Sequence, residues 1–142
     1  MKTFKLLPLL SLLLVFGTVN AINKPDEGAL TRTHAIDTYI GAVTMGKLQG
    51  FDEVVDPSAK FTVLRANKQL ISYTKKEMME FLDKIKNVEE NCTTSTSIIE
   101  NDMGLVVVKV DMKFEDFTRS NYVSIANTGN GWKIINVYSV FD

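Results

Sequence analysis

A chain of 142 residues with 16 Lys+Arg against 17 Asp+Glu carries a formal net charge of −1. That balance gives no electrostatic footprint for nucleic acid or an anionic lipid surface, so neither is expected as a partner. The single cysteine, Cys92, excludes an intramolecular disulfide and leaves the hydrophobic core to hold the fold.

Residues 1–5 are a short basic lead containing Lys2 and Lys5. Residues 6–19 form an apolar run interrupted by Pro8, Ser11, Gly17 and Thr18, and Val19-Asn20-Ala21 supplies a cleavage position. The pattern is that of a secretory signal peptide over residues 1–21; the run is too short for a membrane span and no stop-transfer pattern follows. Cleavage would leave 121 of the 142 residues, a single-domain length, with 14 basic residues against 17 acidic ones and a net charge of about −3. The expectation is an exported protein, periplasmic or secreted, with no membrane attachment once the signal is removed. No cysteine follows the apolar run to carry a lipid anchor.

Residues 22–28, with Pro25, read as a loosely held lead-in to a domain spanning 29–142. Residues 29–47 have helical periodicity, with Thr33, Ile36, Ile40 and Val43 on one stripe and Tyr39 at its edge. Phe51, Val54 and Val55 suggest a second short helix stopped by Asp56-Pro57. Residues 60–65 alternate as a strand with Phe61, Val63 and Arg65 on one face, and after a turn at 66–68 a second strand covers 69–73. Thr74-Lys75-Lys76-Glu77 is a capping box, with Tyr73 and Met78 placed as a hydrophobic staple. The helix it opens carries Met78, Phe81, Leu82, Ile85 and Val88 at core spacing.

Residues 92–100 are strand-like but mostly hydroxylic, which suits an exposed face or a sheet edge. Residues 105–114 make a clear strand, with Val106, Val108, Val110, Met112 and Phe114 on one side and Lys109, Asp111 and Lys113 on the other. Residues 118–127 and 132–141 flank Thr-Gly-Asn-Gly, where Asn-Gly predicts a tight antiparallel hairpin. The last strand is apolar on both parities, Trp132 and Ile134 against Ile135, Val137 and Phe141, which predicts cover on both sides. Two helices, two strands, a helix and then four strands joined by short turns make an α+β fold with an antiparallel sheet and the helices gathered on one face.

This order, with Tyr39-Ile40 before Gly46-Lys47, Asp-Pro-Ser-Ala-Lys-Phe at 56–61, the capped helix from Thr74, Tyr-Val-Ser-Ile at 122–125 and Gly-Trp-Lys-Ile-Ile-Asn-Val-Tyr at 131–138, resembles the nuclear transport factor 2-like superfamily. More narrowly, it is similar to small secreted bacterial members grouped with SnoaL-like polyketide cyclases and lumazine-binding-like domains. The resemblance covers essentially all of 29–142. It implies a bent sheet wrapped around the helices, a cone with a cavity at its open end, and in many members a dimer through the outer sheet face. Members include isomerases, dehydratases, cyclases, epoxide hydrolases and proteins that only bind partners, so the fold does not choose an activity.

His34 is the single histidine. On a helical wheel it falls about 160° from Ile36, away from the apolar stripe, and Asp37 lies on the flank. Asp111 and Glu115 share the outward parity of Lys109 and Lys113. No Asp or Glu is placed on an inward parity, which argues against the paired acid–base groups that isomerases and dehydratases require. No metal-ligand cluster, phosphate-cradling glycine loop or nucleophile motif is present, so no metal or cofactor is expected.

Tyr39, Arg65, Asn136 and Tyr138 each share or border an apolar face, and with Trp132 they are the candidates to line a small-ligand cavity. Each also has an ordinary explanation: Arg65 reaches to water at a strand end, Tyr138 sits at the rim, and a bulge turns Asn136 outward. The leading expectation is an exported, non-catalytic domain that binds a small apolar ligand or a protein partner. The alternative is a SnoaL-like enzyme moving a proton on a small carbonyl substrate, with Asp37 or His34 beside Tyr39, Tyr73 or Tyr138. A homodimer through the outer sheet face is expected in either case.

Overall fold

A computed structural model describes residues 31–142. The expected signal peptide, the expected lead-in and the first residues of the expected domain lie outside this range. The elements run α1 (Arg32–Met45), α2 (Phe51–Val54), β1 (Val55–Leu64), β2 (Leu70–Thr74), α3 (Lys75–Lys84), β3 (Thr93–Asn101), β4 (Leu105–Lys113), β5 (Thr118–Asn127) and β6 (Trp132–Phe141).

Helix α1 starts where the Thr31 side chain accepts the His34 backbone N–H. It ends at Gly46, whose φ of 63° is the left-handed conformation that suits a glycine C-cap. A side chain there would also collide with the chain leaving α3: a Cβ would lie 2.5 Å from the Asn87 nitrogen and 2.7 Å from the Ile85 oxygen. The Gly46 carbonyl accepts the Asn87 N–H at 3.1 Å, so the ends of the two helices meet backbone to backbone. The buried face of α1 is Ala35, Ile36, Tyr39 and Ala42. It is turned from the expected stripe, with Tyr39 at its centre and Thr33 exposed, because two alanines allow close approach to the sheet while Ile40 and Val43 flank the contact.

Helix α3 begins with the expected capping box. The Thr74 hydroxyl accepts the Glu77 N–H and the Glu77 carboxylate accepts the Thr74 N–H at 2.8 Å. Lys75 then ties this end to α2 and β1, donating to the Asp52 and Val55 carbonyls at 2.7 and 2.8 Å and pairing with the Asp52 carboxylate at 3.0 Å. The helix stops earlier than the apolar spacing predicts: Val88 lies beyond it and Phe81 is 55 % exposed.

The six strands form one curved sheet in the order β2-β1-β6-β5-β4-β3. All neighbours are antiparallel except β1 and β6, which run parallel. The expected all-antiparallel sheet is therefore mixed, because the β1–β2 hairpin is carried by α3 to the far edge of the C-terminal meander and closes on its last strand. Val106, Val108, Val110 and Met112 of β4, with Val123 and Ile125 of β5, turn inward onto the helices. Strand β3 forms the outer edge and is almost wholly exposed, as its hydroxylic composition requires.

The last strand departs from its expected two-sided character. Ile125 pairs with Ile134 but Ser124 pairs with Asn136, so Ile135 is an extra residue in β6, and the β1 ladder shifts at the same point. The bulge reverses parity: Ile134 before it and Val137 and Ser139 after it all face the core. Apolar residues on both parities here record a bulge, not a strand covered on both sides. In the preceding turn, the left-handed positions are Gly129 and Gly131, with φ of 86° and 95°, rather than Asn130.

Candidate functional site

Between α1, α3 and the concave face of the sheet lies a cavity of about 480 Å³. The register of the strands assembles its floor. Tyr73, Phe61, Val137 and Val123 form one cross-strand row, and Ile71, Val63, Ser139 and Asn121 form the next. A third row places Phe141 beside Arg119 and Arg119 beside Met112. Helix α1 contributes Tyr39 and Val43, α3 contributes Met78, Phe81 and Leu82, and the chain after α3 contributes Ile85 and Glu90.

The polar groups on this floor are few. Ser139 donates to the Asn121 carbonyl oxygen at 2.6 Å, and the Asn121 amide donates to the Val110 carbonyl at 3.3 Å, so this buried pair is satisfied. Tyr39 is 3 % exposed. Burial pushes its phenol up to about 12, with the nearby Arg119 charge pulling the other way, so it remains a neutral hydroxyl at physiological pH. Arg119 itself is half-buried. One Nη donates to the Met112 sulfur, a weak acceptor, and its Nε is buried with no hydrogen-bond partner among the described residues. No ion pair joins it to a carboxylate among the described residues.

Of the five residues expected to line a cavity, the structure brings only Tyr39 to this one. Arg65 lies one residue past the end of β1, exposed, in the turn where its N–H reaches the Gln69 carbonyl. Asn136 and Tyr138 face away from the helices because the bulge at Ile135 turns them out; Tyr138 pairs with Tyr122 and Thr62 there. Trp132 lines an open groove at the start of α1, with the Arg32 guanidinium 5.9 Å from its ring centre. That groove is larger, about 690 Å³, but it lies on the surface at the start of α1, whereas the cavity reaches in between the core elements. Asp37 is exposed, and neither it nor His34 reaches the cavity. Sequence reasoning passed over Arg119, Asn121, Ser139 and Glu90. The first two carry a readable signal, since they share parity with Val123 and Ile125; Ser139 is hidden by the bulge and Glu90 lies in an irregular segment.

Among the described residues, no group of three or more His, Cys, Asp and Glu side chains could hold a metal ion, and no helix is long and apolar enough to cross a membrane. Helices laid into the concave face of a curved six-stranded sheet, with a cavity opening between them, define a cone-shaped α+β protein. The chain has the nuclear transport factor 2-like fold. It is similar, at 12 % identity and a TM-score of 0.64, to a nuclear transport factor 2-like protein of unknown function from Silicibacter pomeroyi, over 78 % of this chain and 92 % of that one. It is also similar to a nuclear transport factor 2-like protein from Cytophaga hutchinsonii (14 % identity, TM-score 0.59, 76 % and 93 % covered). A third similar structure is a protein of unknown function from Pectobacterium atrosepticum, of the DUF3225 family (17 % identity, TM-score 0.61, 84 % and 94 % covered). No protein-family model and no curated protein matches the chain.

Proposed function

We propose that the protein is an exported binding domain that takes a small, mainly apolar molecule into the cavity between α1, α3 and the sheet. The observation that carries this reading is the cavity itself: about 480 Å³, walled by Phe61, Val63, Val137, Met78 and Ile85, with a few polar groups converging on its floor. That size and composition are those of small-molecule sites. Export rests on the signal-peptide pattern of residues 1–21, and a homodimer through the outer sheet face belongs to the same proposal. Adding 1-octanol to the ¹⁵N-labelled protein tests the binding reading. Shifts confined to α1, α3 and the inward residues of β1, β5 and β6 are expected; shifts scattered over the surface, or none, would remove the site.

One observation favours the catalytic alternative. Glu90 is a half-buried carboxylate at the cavity wall, held by its own N–H to the Thr44 carbonyl at 2.7 Å. A SnoaL-like proton transfer would use it as the base. Deuterium uptake next to the carbonyl of a small ketone in D₂O, abolished by Glu90→Gln, is the outcome that reading requires.

A further inference from the structure

The geometry points to an anionic head group on the ligand: we infer that the cavity takes a small organic carboxylate, its apolar body against Phe61, Val63 and Met78 and its carboxylate on Arg119. This rests on the binding reading above and names the ligand class.

A guanidinium is costly to withdraw from water unless its donors are satisfied and its charge is matched. Arg119 is half-buried, and among the described residues its donors find only the Met112 sulfur, a soft and weak acceptor, while Nε finds nothing. Its place is fixed by the sheet register: it sits between Met112 and Phe141 on the inward face of β5, two residues from the buried Asn121. Tyr39 lines the same cavity, close enough to feel the Arg119 charge. A guanidinium with an unmatched Nε–H, beside a tyrosine hydroxyl, suits the two oxygens of a carboxylate.

The acidic groups around the cavity do not supply that match. Glu77 is committed to the α3 capping box, Glu80 lies on exposed α3 with Lys76 3.9 Å away, and Glu90 forms no ion pair with Arg119. Lys84 adds a second positive charge at the wall, against the carboxylates of Glu77, Glu80 and Glu90. The preference for an anion is local to the floor, where a cationic head would meet the Arg119 guanidinium.

Calorimetric titration of the full chain with octanoate and, separately, with 1-octanol tests the inference. Octanoate is expected to bind about 10- to 100-fold more tightly than the alcohol, the range of a charge-assisted hydrogen-bonded pair. Arg119→Gln should bring octanoate down to the level of octanol, and Arg119→Lys should restore part of the difference. Equal binding of acid and alcohol by the wild-type protein would overturn the carboxylate assignment and leave the apolar cavity standing. Binding of neither would remove the cavity reading and this inference with it. The wild-type comparison decides the matter even where Arg119→Gln fails to fold.

Discussion

Tyr39 shows how one buried side chain makes stability depend on pH. Its folded value of about 12 lies above the ordinary 10.0, so the neutral phenol is held by burial. The contribution is fully present below pH 10.0 and is lost as pH rises toward 12, because only the unfolded chain ionises readily in that interval. Tyr39→Phe should flatten the alkaline fall in stability, measured by urea denaturation at a series of pH values; an unchanged slope would place the tyrosine in contact with water. The Asn121–Ser139 pair gives a second prediction at this scale. Asn121→Ala leaves a buried serine hydroxyl without its acceptor and should cost about 1–3 kcal/mol, and Ser139→Ala should cost less when made in that background than alone. Such residues were only partly legible. The parity that puts Val123 and Ile125 inward also puts Arg119 and Asn121 inward, and it can be read from the sequence. That Arg119 lacks a carboxylate partner among the described residues is a fact of three strands meeting, and no single stretch contains it.

The helices and hairpins were legible wherever local chemistry decides them. The capping box at Thr74 and Glu77 is the clearest case, since both partners lie within one turn. Thr74→Ala should cost about 1 kcal/mol at neutral pH. The two Thr74 hydrogen bonds hold the Glu77 carboxyl below its ordinary value, so their contribution is present above that value and is lost as pH falls through the lowered one. The difference between wild type and Thr74→Ala in thermal melts should therefore shrink in acid. Gly46 carries a tertiary requirement inside a local motif. Gly46→Ala meets both a positive φ and the backbone at Asn87, so it should destabilise by more than about 1 kcal/mol. A mild effect would mean that the ends of α1 and α3 are free to separate. The bulge at Ile135 is where the strand reading failed. Alternation is a valid guide only while the ladder is regular, and one extra residue exchanges the inward and outward sets for the rest of β6. That single residue turns Asn136 and Tyr138 out of the cavity and Ser139 into it.

For the whole molecule, the fold was legible because the order of elements and the polar edge strand β3 leave few arrangements, although the parallel closure of β1 on β6 joins segments too distant for any local signal. The proposed dimer meets a changed surface. Lys109 and Asp111, on the outward parity of β4, are paired with each other at 3.3 Å, and Asp111 also accepts the Ser120 hydroxyl at 2.6 Å. An interface on this face would rest instead on Tyr122, Tyr138 and Val140, half-buried on the outer side of the sheet. Light scattering over a concentration series should give twice the chain mass, and a single-chain mass at high concentration would dispose of the dimer. The binding cavity is tested most directly at Arg119, by following its side-chain Nε–H resonance while octanoate is added. A bound carboxylate should move that resonance saturably, together with the amides of Asn121 and Ser139. A resonance unmoved at an octanoate concentration that shifts only surface amides would contradict the cavity as the binding site.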